Sequence, residues 1–150
     1  MKKTIGIIGF GNMGSAIGGR LKARYQVFVF DKDKNKTQNL AGIKLAKNIK
    51  DLVTRVDVVI LAVKPQDFDS VLSEIKDYTQ DKLIISIAAG ITTAYIQKLL
   101  GDVRVVRVMP NMPVRIGKGM SCLCKGKFAT RDDLGFVRQL FDNLGETLVI

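Results

Sequence analysis

Short apolar runs alternate along the whole chain with stretches in which apolar residues recur every three or four positions. The runs at 4–8, 26–30, 43–46, 57–63, 82–87, 103–108, 119–124 and 147–150 have strand length. The stretches between them have helical spacing, which predicts helices at 12–22, 34–40, 49–54, 66–78, 93–100 and 131–144. "VDVVILAV" and "KLIISIAA" are apolar on both faces, as strands of a covered parallel sheet must be. Thr130 with Asp133 resembles a capping box opening the last helix, and Gly145 suits its far end. No linker, repeat or low-complexity segment interrupts the alternation. The predicted fold is therefore α/β: a doubly wound, Rossmann-type, mostly parallel sheet with helices on both faces.

Ligands of such folds bind beyond the carboxyl ends of the strands. The first strand runs directly into "GFGNMG", residues 9–14. Gly9 suits the tight turn, Gly11 lets backbone approach a pyrophosphate, and Gly14 lets the helix pack near the strand. The helix start at Asn12 and Met13 offers unpaired N–H groups and the positive end of a dipole. Three close glycines also occur in ordinary loops, but here a strand precedes them and a helix follows. Asp31 closes the next strand twenty residues past Gly11, where a carboxylate accepts hydrogen bonds from the adenosine ribose hydroxyls. Lys32, Lys34 and Lys36 follow it and offer a counter-charge for a 2′-phosphate. The later strands end at Asn48, at Lys64-Pro65, at Ala88-Ala89-Gly90 and at Met109-Pro110-Asn111. The small residues at 88–90 suit a flat ring lying against backbone, while Pro65, Pro110 and Pro113 stiffen the rim.

Composition narrows the picture. With 150 residues, 47% of them hydrophobic, the chain has the size of one domain with a real core. The net charge of +10 is carried by lysines and arginines interleaved with acids, as in "DKDKNK", without an aromatic stacking pattern. That describes a solvated surface and no nucleic-acid partner. Histidine is absent, so metal binding or acid–base chemistry through imidazole is excluded. Cys122 and Cys124 have neither redox-pair nor metal-ligand spacing and are expected as free thiols on opposite faces of a strand. The basic start "MKK" is followed by glycines and a charged helix in place of a cleavage site, and no run reaches the ~18 apolar residues of a membrane span. A cytoplasmic protein without membrane partners is the expectation.

Four stretches, "IGFGNMGSAI", "AVKPQ", "SIAAGIT" and "VVRVMPNMPVRIGKGMS", stand in the order and at the spacing of one enzyme family. Over essentially all 150 residues the chain resembles the N-terminal, cofactor-binding domain of pyrroline-5-carboxylate reductase, which reduces a cyclic imine to proline. The resemblance implies NAD(P)H as cofactor, with contacts from Ile8, Gly9, Phe10, Gly11, Asn12, Met13 and Gly14. Further implied contacts are Asp31 or Lys32, then Asn48, then Ala62, Val63, Lys64 and Pro65, then Ile87, Ala88 and Ala89. It sets Asn111 near the nicotinamide end. Where many members carry a polar or basic pair suited to NADPH, this chain has Asp31, which favours NADH.

The family's second domain is all-helical, forms the dimer and supplies most of the pocket for the imine's carboxylate. It is expected to be absent from this chain, so the isolated domain is expected to bind cofactor with little turnover, and homo-oligomers are expected only of a full-length parent. No residue is assigned a catalytic role, because a protonated imine carries its own positive charge and needs no protein nucleophile. Two alternatives stay open: the cofactor domain of a β-hydroxyacid-type dehydrogenase, or a non-catalytic NAD(P)-sensing module.

Overall fold

β1 (Ile5–Ile8) is buried at every residue because it lies inside the sheet, paired in parallel with β2 (Val27–Phe30) on one side and β4 (Val58–Leu61) on the other. The computed structural model describes residues 2–150, apart from the side chain of Met112. Outside β2 lies β3 (Lys44–Leu45), and outside β4 follow β5 (Leu83–Ser86) and β6 (Arg104–Met109), all parallel. This gives the order 3-2-1-4-5-6 of a dinucleotide-binding sheet. β7 (Gly119–Lys125) then pairs antiparallel with β6, and β8 (Gly145–Val149) runs parallel to β7 at the edge.

Helices α1 (Asn12–Leu21) and α5 (Arg131–Phe141) cover one face, packing Ile17, Leu21, Val137 and Phe141 against Ile7, Val29, Ile60 and Leu123. The other face is covered by α2 (Ile49–Arg55), α3 (Phe68–Ile75) and α4 (Thr93–Leu100), through Leu52, Phe68, Leu72 and Ile96. Each fully buried aliphatic or aromatic side chain contributes about 1.5–3 kcal/mol, and the two layers clamp the sheet from both sides. β4 and β5 are buried on both faces, as their unbroken apolar runs require.

The capping box at Thr130 is present in both directions. Asp133 accepts from the Thr130 N–H at 2.9 Å and, with its other oxygen, from Arg104 at 2.6 Å, so the start of α5 is pinned to β6.

Several expectations are corrected. The helix expected at 34–40 is only a 3-10 turn, Lys34–Thr37, in which Thr37 alone is buried; with one anchoring side chain it has no face to dock. Gly145 does not close α5, which ends at Phe141. With φ of 141° it starts β8 where that strand passes Gly119, and a Cβ on Gly145 would strike the Gly119 carbonyl oxygen. Residues 112–116, for which no element is predicted, form a 3-10 turn, Met112–Ile116. Cys122 and Cys124 are free thiols but share one face of β7, because side chains alternate with a period of two and Leu123 between them points inward.

Candidate functional site: a nucleotide groove at the carboxyl ends of the strands

The turn after β1 is shaped by what surrounds its glycines. Gly9 has φ of 96°, and a Cβ there would lie 2.7 Å from the Ala62 carbonyl oxygen. A Cβ on Gly14 would strike the Gly9 carbonyl oxygen. Gly11, the N-cap of α1, is different: the sole atom within 4 Å of its Cβ position is Lys36 Nζ, at 3.9 Å. Two glycines therefore close the turn against β4 and α1, and the third leaves its outer side open. No acidic residue occupies the first turn of α1, so its N–H groups and dipole are free to meet an anion.

Beside this turn runs a groove of about 620 Å³. Of the sequence-predicted residues it gathers Ile8, Gly9 and Gly11 from the first turn, Asp31 and Lys32 from the end of β2, and Asn48 from the start of α2. Ala62, Val63 and Lys64 from the end of β4 complete that set.

Asp31 is half-buried and already engaged. One carboxylate oxygen accepts from the Phe10 N–H at 2.7 Å and the other from the Asp33 N–H at 2.8 Å. It thereby ties the glycine turn to the loop after β2. Each oxygen keeps a further lone pair for a ribose hydroxyl. Lys32 spans the groove's mouth to Asp67, 3.0 Å away, as an exposed ion pair. Asn48 caps α2, its oxygen accepting from the Asp51 N–H at 2.8 Å. Asp51 in turn accepts from the Lys47 N–H, which with Arg55 holds its carboxyl below the usual range. The cap fixes Asn48 with its amide N–H groups unpartnered among the described residues.

The other predicted residues do not line the groove. The Phe10 ring packs toward Gly18 in the core, and Met13 and Ile87 pack against the same cluster. Gly14 is covered by Gly9, and Asn12 is exposed with its carbonyl taken by Arg115 at 3.1 Å. Pro65 starts a 3-10 turn, Pro65–Asp67, and is not among the groove's lining residues. Ala88 is buried beside Ser86, while Ala89 is exposed on the bend after β5, next to Gly90 at φ of 76°. Asn111 turns its oxygen to the Met120 N–H at 3.0 Å, which anchors the segment after β6 to β7.

Sequence reasoning missed Phe30, Ile49 and Val71 on the apolar side of the groove and Asp33, Gln66 and Glu74 on its polar side. Asp33 follows β2 and Gln66 precedes α3, while Glu74 lies near the end of that helix. Among the described residues, no cluster of three or more histidine, cysteine, aspartate or glutamate side chains is placed to hold a metal, and no helix is long and apolar enough to cross a membrane.

Comparison with known proteins agrees with this geometry. A family model described as NADP oxidoreductase, coenzyme F420-dependent, matches residues 4–90. Pyrroline-5-carboxylate reductase of Aquifex aeolicus is 37% identical over 148 residues, covering 94% of this chain and 55% of that protein. The Escherichia coli protein of the same name is 37% identical over 160 residues, covering 100% and 60%. The chain thus spans somewhat over half the length of these relatives. Among solved structures, a pyrroline-5-carboxylate reductase from Coxiella burnetii superposes with a TM-score of 0.93 at 29% identity, over 100% of this chain and 59% of that one. The Plasmodium falciparum pyrroline carboxylate reductase, solved with NADP bound, gives 0.91 at 26% identity over 99% and 58%.

Proposed function

We propose, from the premise that this chain belongs to the NADP oxidoreductase, coenzyme F420-dependent family, that it is the cofactor-binding half of a pyrroline-5-carboxylate reductase. The observation that carries the reading is the glycine turn, with Gly9 and Gly14 sealed and Gly11 open at the start of α1. The similarity along the whole chain to reductases of that name supports the choice of substrate. In this reading the bound nicotinamide dinucleotide supplies the hydride that reduces the imine.

The chain's own residues bind and orient. The N–H groups at the start of α1 take the pyrophosphate, and Gly11 lets it approach. Asp31 receives the ribose hydroxyls at the adenosine end while holding the turn in shape through Phe10. Val63, Lys64 and the bend at Ala88-Ala89 border the nicotinamide end, toward which the Asn111 segment is anchored. The imine's carboxylate is held by a helical domain outside these residues, which also makes the dimer. The protein works in the cytoplasm on a small molecule, with no nucleic acid or membrane partner.

The cofactor form in this reading is NADH, by a modest margin. A 2′-phosphate would face the Asp31 carboxylate, and Lys32, the neighbouring counter-charge, is drawn off to Asp67. Isotherms of the purified chain with NADH and NADPH, followed by an assay with pyrroline-5-carboxylate, test the proposal. Tight dinucleotide binding with little reduction of the imine is expected. Failure to bind either dinucleotide would sink the reading, and robust turnover by these 150 residues would refute the division of labour.

A further inference from the structure

Two cations converge on the start of α1, the place where the helix dipole already concentrates positive charge. Lys36 reaches over from the 3-10 turn after β2, with its Nζ 3.9 Å from the Cβ position of Gly11. Arg115, on the 3-10 turn after β6, comes from another element and donates from one terminal nitrogen to the Asn12 carbonyl at 3.1 Å and the Ser15 hydroxyl at 3.4 Å.

Neither cation belongs to an ion pair among the described residues, where the pairs are Lys32 with Asp67, Arg55 with Asp51 and Arg104 with Asp133. Asp31, on the same groove, is bound to the Phe10 and Asp33 N–H groups. An anion at the start of α1 meets both positive side chains and the positive end of the helix dipole.

We propose that Lys36 and Arg115 form a cationic clamp over the first turn of α1 that grips the cofactor's pyrophosphate. The clamp rests on the reading of the groove as a nicotinamide-dinucleotide site and adds side-chain charge to the backbone donors of the glycine turn. Lys36 approaches from the adenosine side and Arg115 from the segment that carries Asn111, so the two straddle the diphosphate. Lys36 supplies a mobile point charge. Arg115 spends one terminal nitrogen on α1, which fixes the planar guanidinium and leaves its other N–H donors for phosphate oxygens. The pyrophosphate, and not a 2′-phosphate, is the target because Lys36 leans toward Gly11, whereas the end of β2 presents Asp31 and Asp33.

The test is calorimetric titration of the purified chain and of K36Q, R115Q and the double variant with NADH, ADP-ribose and adenosine at two salt concentrations. Each single variant should bind NADH and ADP-ribose about tenfold more weakly, with adenosine unchanged. The double variant should lose about a hundredfold and show a flatter dependence on salt. R115K, which keeps the charge, should recover part of the loss, and an unchanged melting temperature of the unliganded variants verifies the fold. Variants that bind both dinucleotide ligands within twofold of the parent would overturn the clamp alone. Equal losses for adenosine and ADP-ribose would overturn it too, because they place the effect outside the phosphates. A parent chain that binds neither NADH nor ADP-ribose would remove the functional reading and the clamp together.

Discussion

The two ends of the groove are built on opposite plans. At the adenosine end the charged side chains are already satisfied: Asp31 holds two backbone N–H groups and Lys32 holds Asp67. At the α1 end positive charge is left without a counter-charge: Gly11 faces open space, the helix lacks an acid in its first turn, and Lys36 and Arg115 stand without carboxylate partners among the described residues, Arg115 donating to the neutral oxygens of Asn12 and Ser15. Satisfied groups fix shape, so they suit discrimination between similar ligands. Unsatisfied charge lowers in energy only when the ligand arrives, so it suits affinity. Under the proposed function, the contrast would put cofactor choice at one end and cofactor retention at the other.

The sharpest way to break that contrast is at the glycines. Gly14→Val drives a side chain into the Gly9 carbonyl oxygen, and overpacking against backbone should cost about 3 kcal/mol or more, read as a lowered urea midpoint. Gly11→Val meets no backbone, so stability should hold within ~1 kcal/mol while NADH affinity falls at least about a hundredfold. A Gly11→Val protein that binds as its parent does would separate the turn from the phosphate site.

Asp31→Ser comes next. It removes acceptors from the Phe10 and Asp33 N–H groups, at a cost of about 1–3 kcal/mol in thermal or chemical unfolding. It should also reverse the preference from NADH to NADPH in paired isotherms. A variant that keeps the NADH preference would move the discriminating group elsewhere.

A smaller effect is expected from salt: the NADH preference should narrow at low ionic strength, as Lys34 reaches further toward a 2′-phosphate. The smallest belongs to Lys32→Ala. The exposed pair with Asp67 contributes no more than about 1 kcal/mol, so affinity for either cofactor should change by less than fivefold. A larger loss would mean that Lys32 is itself a ligand.

The scaffold was legible where one physical constraint dominated. Continuous apolar runs gave β4 and β5, the glycine spacing gave the turn, and Thr130 with Asp133 gave the start of α5. Legibility failed where structure depended on distant partners. The segment at 34–40 has helical composition but a single buried residue, so it stops after one 3-10 turn, and the prolines at 110 and 113 concealed the turn that carries Arg115. In the site, Asp31 was readable as a residue of the groove, but its bond to the Phe10 N–H was not, because that contact depends on how β1 and β2 lie side by side. Arg115 meets α1 across 103 residues of sequence, and no local pattern records such a pairing.

One of these distant dependences also sets an order of events. The turn at Gly9 is seated against the Ala62 carbonyl, and β1 lies between β2 and β4. As the chain leaves the ribosome, β2 emerges soon after β1, but the other wall of the turn arrives only once β4 has been made. The glycine turn is thus expected to take shape only after β4, and, under the proposed function, nucleotide capture by a nascent chain would report that β4 has docked.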